Sequence, residues 1–190
     1  MRETPMKKLI AFALVMFPAV ALAHPGHHHV DWLDGFLHPL TGLDHLLALV
    51  ATGLWLAQTQ TRHKVGFIGA FIAILAVSIA LGTQFSHLTM EAGITATLVV
   101  LGGLIACAVK GSMILRTVVV ALTAIIHGFV HGTELPAEAA MPFAAGLLAS
   151  SAMVVVLASW LGHYSQKFAK GVVAQVLGAL LVLFGITTAF

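Results

Sequence analysis

Thiols are nearly absent from this chain, and so is charge. A single cysteine, Cys107, set inside an apolar run, excludes an intramolecular disulfide framework and a cysteine-rich metal site. Charged residues supply 8% of the 190 positions, against roughly 25% in a soluble domain. Apolar residues supply 59%, so the solvent this chain is built for is the bilayer. No G-x-x-x-x-G-K-[ST] loop occurs, which leaves no visible means of hydrolysing nucleotide. There is no convincing internal repeat, low-complexity segment, nucleophile motif or substrate-binding motif.

The chain opens with "MRETPMKKLIAFALVMFPAVALA": a basic start (Arg2, Lys7, Lys8), an apolar stretch and small residues at Ala21 and Ala23. That pattern predicts a secretory signal peptide over residues 1–23, cleaved after Ala23. An uncleaved first helix is the alternative, but the apolar run is short against the roughly 20 residues a span needs. Three of the nine Lys+Arg and one of the seven Asp+Glu lie in this segment. The remainder is therefore balanced in formal charge, and no nucleic-acid partner is implied.

Six apolar segments follow, at about 36–57, 65–84, 91–109, 113–130, 139–161 and 171–190. With short loops between them, they predict one all-α polytopic bundle of six transmembrane helices over 36–190, preceded by a His-rich leader over 24–35. The six remaining basic residues (Arg62, Lys64, Lys110, Arg116, Lys167, Lys170) fall in the first, third and fifth loops. The positive-inside rule makes those loops cytoplasmic. Apart from Asp44, the acids (Asp31, Asp34, Glu91, Glu134, Glu138) fall in the N-terminal segment or at the second and fourth loops. Both mature termini then face the periplasm, and the membrane is the bacterial inner one.

What the chain has in quantity is histidine, eleven in all. In "HPLTGLDH", Pro39 suits the first turn of a helix and leaves His38 at its cap. In one continuous helix His38 and His45 lie on nearly one face, roughly 10 Å apart along the axis. Asp44 is turned about 100° from His45, as either a ligand or a group that orients an imidazole. The plainer alternative is an interfacial His38 beside a helix-packing Asp44–His45 hydrogen bond. In "HGFVHGTE", His127 and His131 form an i,i+4 pair, and Glu134 follows on the same face if the helix continues. Such a pair presents two nitrogens to one ion, although two histidines satisfying each other between helices would share the spacing. Gly128 and Gly132 allow a neighbouring helix to approach closely.

The predicted topology puts these motifs at one depth, with Glu91 opening the third helix on the same side. His24, His27, His28 and His29, in "HPGHHH", would collect divalent cations loosely, or form a polar leader without a role. His87 is a weaker candidate, and His63 and His163 are expected in solvated cytoplasmic loops. Met90, Met113, Met141 and Met153 share no motif with the histidines and are expected to pack.

At these residues the sequence resembles the HupE/UreJ family of nickel and cobalt permeases. The likeness runs through "HPLTGLDHLLAL", "MEAGITATLVVLG" and "IIHGFVHGTELP" and covers nearly the whole chain. It implies six spans, an outward N-terminus and metal-related residues at His38, Asp44, His45, His127, His131 and Glu134. It also implies a link to maturation of nickel enzymes such as hydrogenase or urease. Two departures stand out: Leu49 where a methionine is expected, and a fifth helix without a histidine.

Imidazole and carboxylate without thiolate suit Ni²⁺, Co²⁺ or Zn²⁺, whereas Mg²⁺ favours an all-oxygen, partly hydrated site. The ion is cargo, with no prosthetic group expected; its choice as Ni²⁺ or Co²⁺ comes from the resemblance. Neutral imidazoles bind it without adding charge to the membrane interior. The expected function is non-enzymatic: metal transport into the cytoplasm, driven by membrane potential or a gradient. The alternatives are an integral-membrane zinc hydrolase with Glu134 as general base, and an accessory or sensor protein that binds metal without moving it.

Overall fold

The computed structural model describes residues 31–85, 91–169 and 171–189. The expected signal peptide, the leader histidines His24, His27, His28 and His29, and also His87 and Met90 lie outside them. Seven α-helices follow in order: α1 (Trp32–Thr41), α2 (Leu43–Ala57), α3 (Thr61–Gly82), α4 (Glu91–Ala106), α5 (Met113–Thr133), α6 (Ala140–Ala169) and α7 (Val172–Ala189). Among the described residues there is no strand, as an all-α bundle requires.

The first expected helix is two helices. α1 begins at Trp32, inside the segment read as leader, because Asp31 and Asp34 close a capping box. The Asp31 carboxylate accepts from the backbone N–H groups of Leu33 (2.7 Å) and Asp34 (3.2 Å), and Asp34 accepts from the N–H of Asp31 (3.1 Å). The chain then breaks at Gly42, where the backbone turns extended, and α2 leaves at 81° to α1. Pro39 therefore lies inside α1 and His38 in its last turn, not at an N-cap.

Among the described residues four helices are long and apolar enough to cross a membrane: α3 with its short 3₁₀ extension, α5, α6 and α7. Counted as one span, the bent pair α1–α2 would bring the number to five. α4, at 16 residues, is about 24 Å long, below the roughly 30 Å of a hydrocarbon core. The chain is a multi-pass membrane protein in which length alone does not establish six spans. The basic residues also sit differently from expectation. Arg62, Lys64 and His63 lie in the first turn of α3, while Lys167 and His163 lie on α6, which continues as helix through the expected fifth loop. Arg116 is a buried member of α5.

α2 is the central element. Ala48, Leu49 and every residue from Ala51 to Ala57 are buried, as befits a helix that is apolar all round. It packs on α6 and α4, while α3 pairs with α5, α4 with α7, and α1 with α6. Lipid supplies no hydrophobic drive for helix association, so close backbone approach has to. A Cβ at Gly35 of α1 would land on the Phe143 carbonyl of α6, and one at Gly146 of α6 on the Trp32 carbonyl of α1. Gly128 and Gly132 of α5 meet α3 in the same way, at Leu75, Ile79 and Gly82. Val65, Ile114 and Met141 point outward, as lipid-facing residues should. Met113 and Met153 are exposed too, so these methionines do not fill the core.

Candidate metal centre

The 81° break changes what the first motif can do. In a straight helix His38 and His45 would be two turns apart; across the bend their ring centroids are 6.0 Å apart. α5 brings His131 to both, at 4.5 Å from His45 and 5.1 Å from His38. His127 lies one turn deeper on α5, 6.0 Å from His45. Four imidazoles from three helices thus form one cluster. It is closed on the α6 side by Phe143, whose ring is 5.4 Å from His38.

The nitrogens show which lone pairs are free. His127 Nδ1 is 3.0 Å from the Thr123 carbonyl oxygen, which only accepts, so Nδ1 is the donor and Nε2 keeps a bare lone pair. That Nε2 is buried without a partner. His45 Nδ1 and His131 Nε2 are 3.0 Å apart, a contact in which one proton is shared between two acceptors. His131 Nδ1 is also buried and unpartnered. Buried polar atoms left unmatched are uncommon; the His127 Nε2 lone pair is open to a cation, and a neutral His131 that uses Nε2 as its lone pair carries its proton on Nδ1. Two nitrogens each bound to one ion at about 2.1 Å stand about 3.0 Å apart when they meet it at a right angle. The His45–His131 pair is therefore spaced to exchange its proton for a metal ion.

Burial is graded along the cluster. His127 and His131 are 1% and 2% exposed. The His45 side chain is 12% exposed, and those of His38 and Glu134 are 37% and 40%. Glu134 caps α5, and its carboxylate lies 3.7 Å from His38 Nε2 at the rim. His38, His131 and Glu134 each offer an atom within 4.8 Å of the other two. Helix electrostatics work in the same direction. His38 and His131 sit in the last turns of α1 and α5, so two partially negative helix ends face the cluster. The opposing positive end of α2 carries Asp44 in its first turn, 3.8 Å from His45 Nε2.

Of the residues singled out by sequence, His38, His45, His127, His131 and Glu134 come together, and Asp44 adjoins them. Glu91 does not join the histidines. It lines, with Asp44, Thr95 and Thr188, an adjoining cavity of about 710 Å³ between α2, α4 and α7. Sequence reading missed three contributors. Thr123 lies four residues before His127, a spacing that does signal its carbonyl contact. Phe143 has no such local signal, and Gly42 looked like an ordinary helical position.

Gly42 yields a specific expectation. A Cβ there would sit 3.1 Å from His45 Cδ2 and 3.5 Å from Asp44 Oδ1. Gly42→Ala should push the imidazole off its line to His131 and weaken metal binding by about tenfold, read by titration of the purified protein. An unchanged affinity would show that the ring has room to move.

A family model described as "HupE / UreJ protein" matches residues 12–188. A protein named Protein HupE, from Rhizobium leguminosarum bv. viciae, is 39% identical over 178 residues, spanning 91% of this chain and 92% of that one. No solved structure matches the chain significantly.

Proposed function

The chain belongs to the HupE / UreJ family, and from that premise we propose that it carries Ni²⁺ or Co²⁺ across the bacterial inner membrane into the cytoplasm, without hydrolysing nucleotide. The observation that supports this reading is the graded cluster, running from exposed Glu134 and half-buried His38 through His45 and His131 to fully buried His127. An ion entering it exchanges water for nitrogen in steps, so no single step bears the whole dehydration cost.

In this reading α1 and α2 make one broken span and α4 a short one, giving six. Discontinuous helices in membranes are tolerated where the broken backbone lines a site. The histidine end faces the periplasm, both mature termini with it, and residues 1–23 are removed as a signal peptide. His24, His27, His28 and His29 gather ions at the mouth, and Asp44 with Glu91 supplies negative charge beside it. A divalent ion moving inward gains about 4.6 kcal/mol per 100 mV of inside-negative potential, enough to drive uptake. The donor set alone suits Zn²⁺ as well; the family directs the choice to Ni²⁺ or Co²⁺, with delivery to nickel-enzyme maturation as the downstream use. Family membership places the chain outside the enzymes, so the zinc hydrolase reading is dropped.

Proteoliposomes enclosing a metal-sensitive dye test the proposal, with Ni²⁺, Co²⁺ and Zn²⁺ supplied outside. The expected result is Ni²⁺ or Co²⁺ entry that speeds up when an inside-negative potential is imposed. Saturable binding with no entry would refute transport and leave a metal-binding accessory protein.

A further inference from the structure

At the end of the bundle opposite the histidines lies a second cavity, of about 540 Å³, lined by Gln58, Lys110, Arg116, Gln166 and Gln175. Arg116 is 8% exposed and about four turns of α5 away from His131. Its Nε donates to the Gly111 carbonyl (3.1 Å), its Nη1 to the Trp55 carbonyl and the Thr59 hydroxyl (3.2 Å each), and its guanidinium lies 4.8 Å over the Trp55 ring.

Every one of these partners is neutral. Among the described residues no carboxylate lies within ion-pair distance of Arg116. The described acids are Asp31, Asp34, Asp44, Glu91, Glu134 and Glu138, at the starts of α1, α2 and α4 and after the end of α5. All belong to the histidine end. A guanidinium cannot shed its proton, and burying one without a counter-charge is costly.

The cavity beside it is lined by the Lys110 ammonium and by Gln58, Gln166 and Gln175, whose amides can each present an NH₂. Its two cationic side chains, Lys110 and Arg116, favour an anion over a cation there. On α6, exposed Trp160 and Tyr164 stack at 5.9 Å, within two turns before Gln166. Such aromatic pairs mark headgroup depth. We infer that the pocket binds a phosphate-bearing anion, which supplies the counter-charge Arg116 lacks. Planar guanidinium and phosphate oxygens match in geometry, and basic pockets between helices take phospholipid headgroups. A lipid headgroup and free inorganic phosphate are the two sources of that chemistry.

The test uses the full chain in phosphatidylcholine nanodiscs, with thermal unfolding as readout. One arm dopes the discs with phosphatidylglycerol; the other adds inorganic phosphate against chloride of equal ionic strength. One arm should raise the midpoint by about 3 °C or more, and which arm does so identifies the source. Lys110→Ala and Gln175→Leu, both at positions that are not fully buried, should each at least halve the rise. The second changes no charge and so separates a built site from general surface attraction. Arg116→Gln should abolish the rise; if that variant fails to fold, the other two decide. No rise in either arm, or a full rise in Gln175→Leu, overturns the inference.

Discussion

Replacing His127 with alanine is expected to lower metal uptake by at least about 100-fold while leaving the protein inserted and folded. The imidazole is held by one hydrogen bond to the Thr123 carbonyl, and its Nε2 is buried with no partner. Losing the side chain leaves a cavity, but it also removes an unmatched buried acceptor, so the two effects on stability oppose each other. Removing an outer-shell partner of a metal ligand already costs 10–100-fold, and a ligand at the deepest point of the cluster should cost more. Uptake of labelled metal, normalised to membrane-inserted protein, makes the measurement. Uptake within twofold of the parent would remove His127 from the path. His38→Ala, at the exposed rim, should weaken uptake far less, and the contrast between the two measures the gradient on which the transport reading depends.

Gly132→Leu should do the reverse and lose the folded protein itself. A Cβ at this position would collide with the Ile79 carbonyl oxygen and lie 2.8 Å from the Gly82 Cα, so α3 and α5 would have to separate. Backbone cannot step aside as a side chain can, and a cost of about 4 kcal/mol or more is expected, in the exceptional range for one substitution. The control is Gly69→Leu on α3, where an added Cβ meets nothing and the new side chain faces lipid. The thermal midpoints and the yield of monodisperse protein should separate the two variants widely. Equal behaviour would mean that the α3–α5 crossing is not as close as described. Because His131 is the neighbour of Gly132, the same crossing also holds the cluster in register. Partial separation should therefore abolish metal binding before it abolishes helicity.

The two substitutions mark different kinds of legibility. The His127–His131 spacing and the small residues beside them are local features of a 3.6-residue period, so sequence shows that both histidines share a face and that both glycines serve a contact. The identity of the contacting helix, α3, is not local information. His38 and His45 make the point more sharply. Helical periodicity placed them on one face about 10 Å apart, yet they meet across a bend. Beyond the bend at Gly42, α1 lies against α6 through Gly35 and Gly146, more than 100 residues apart in the chain. Arg116 follows the same logic: as a charge near a helix start it read as a loop residue, and only the packing of Trp55 and Thr59 over it shows that it is buried.

Sequence by itself determined the solvent, the all-helical class, the family and most members of the candidate cluster, because composition, periodicity and motif spacing are properties of neighbours along the chain. Tertiary structure alone decided that the first helix breaks, that three helices bring four imidazoles to one point, and that Glu91 lines a different cavity. Those outcomes depend on which backbones can approach one another, and that is settled between segments far apart in sequence.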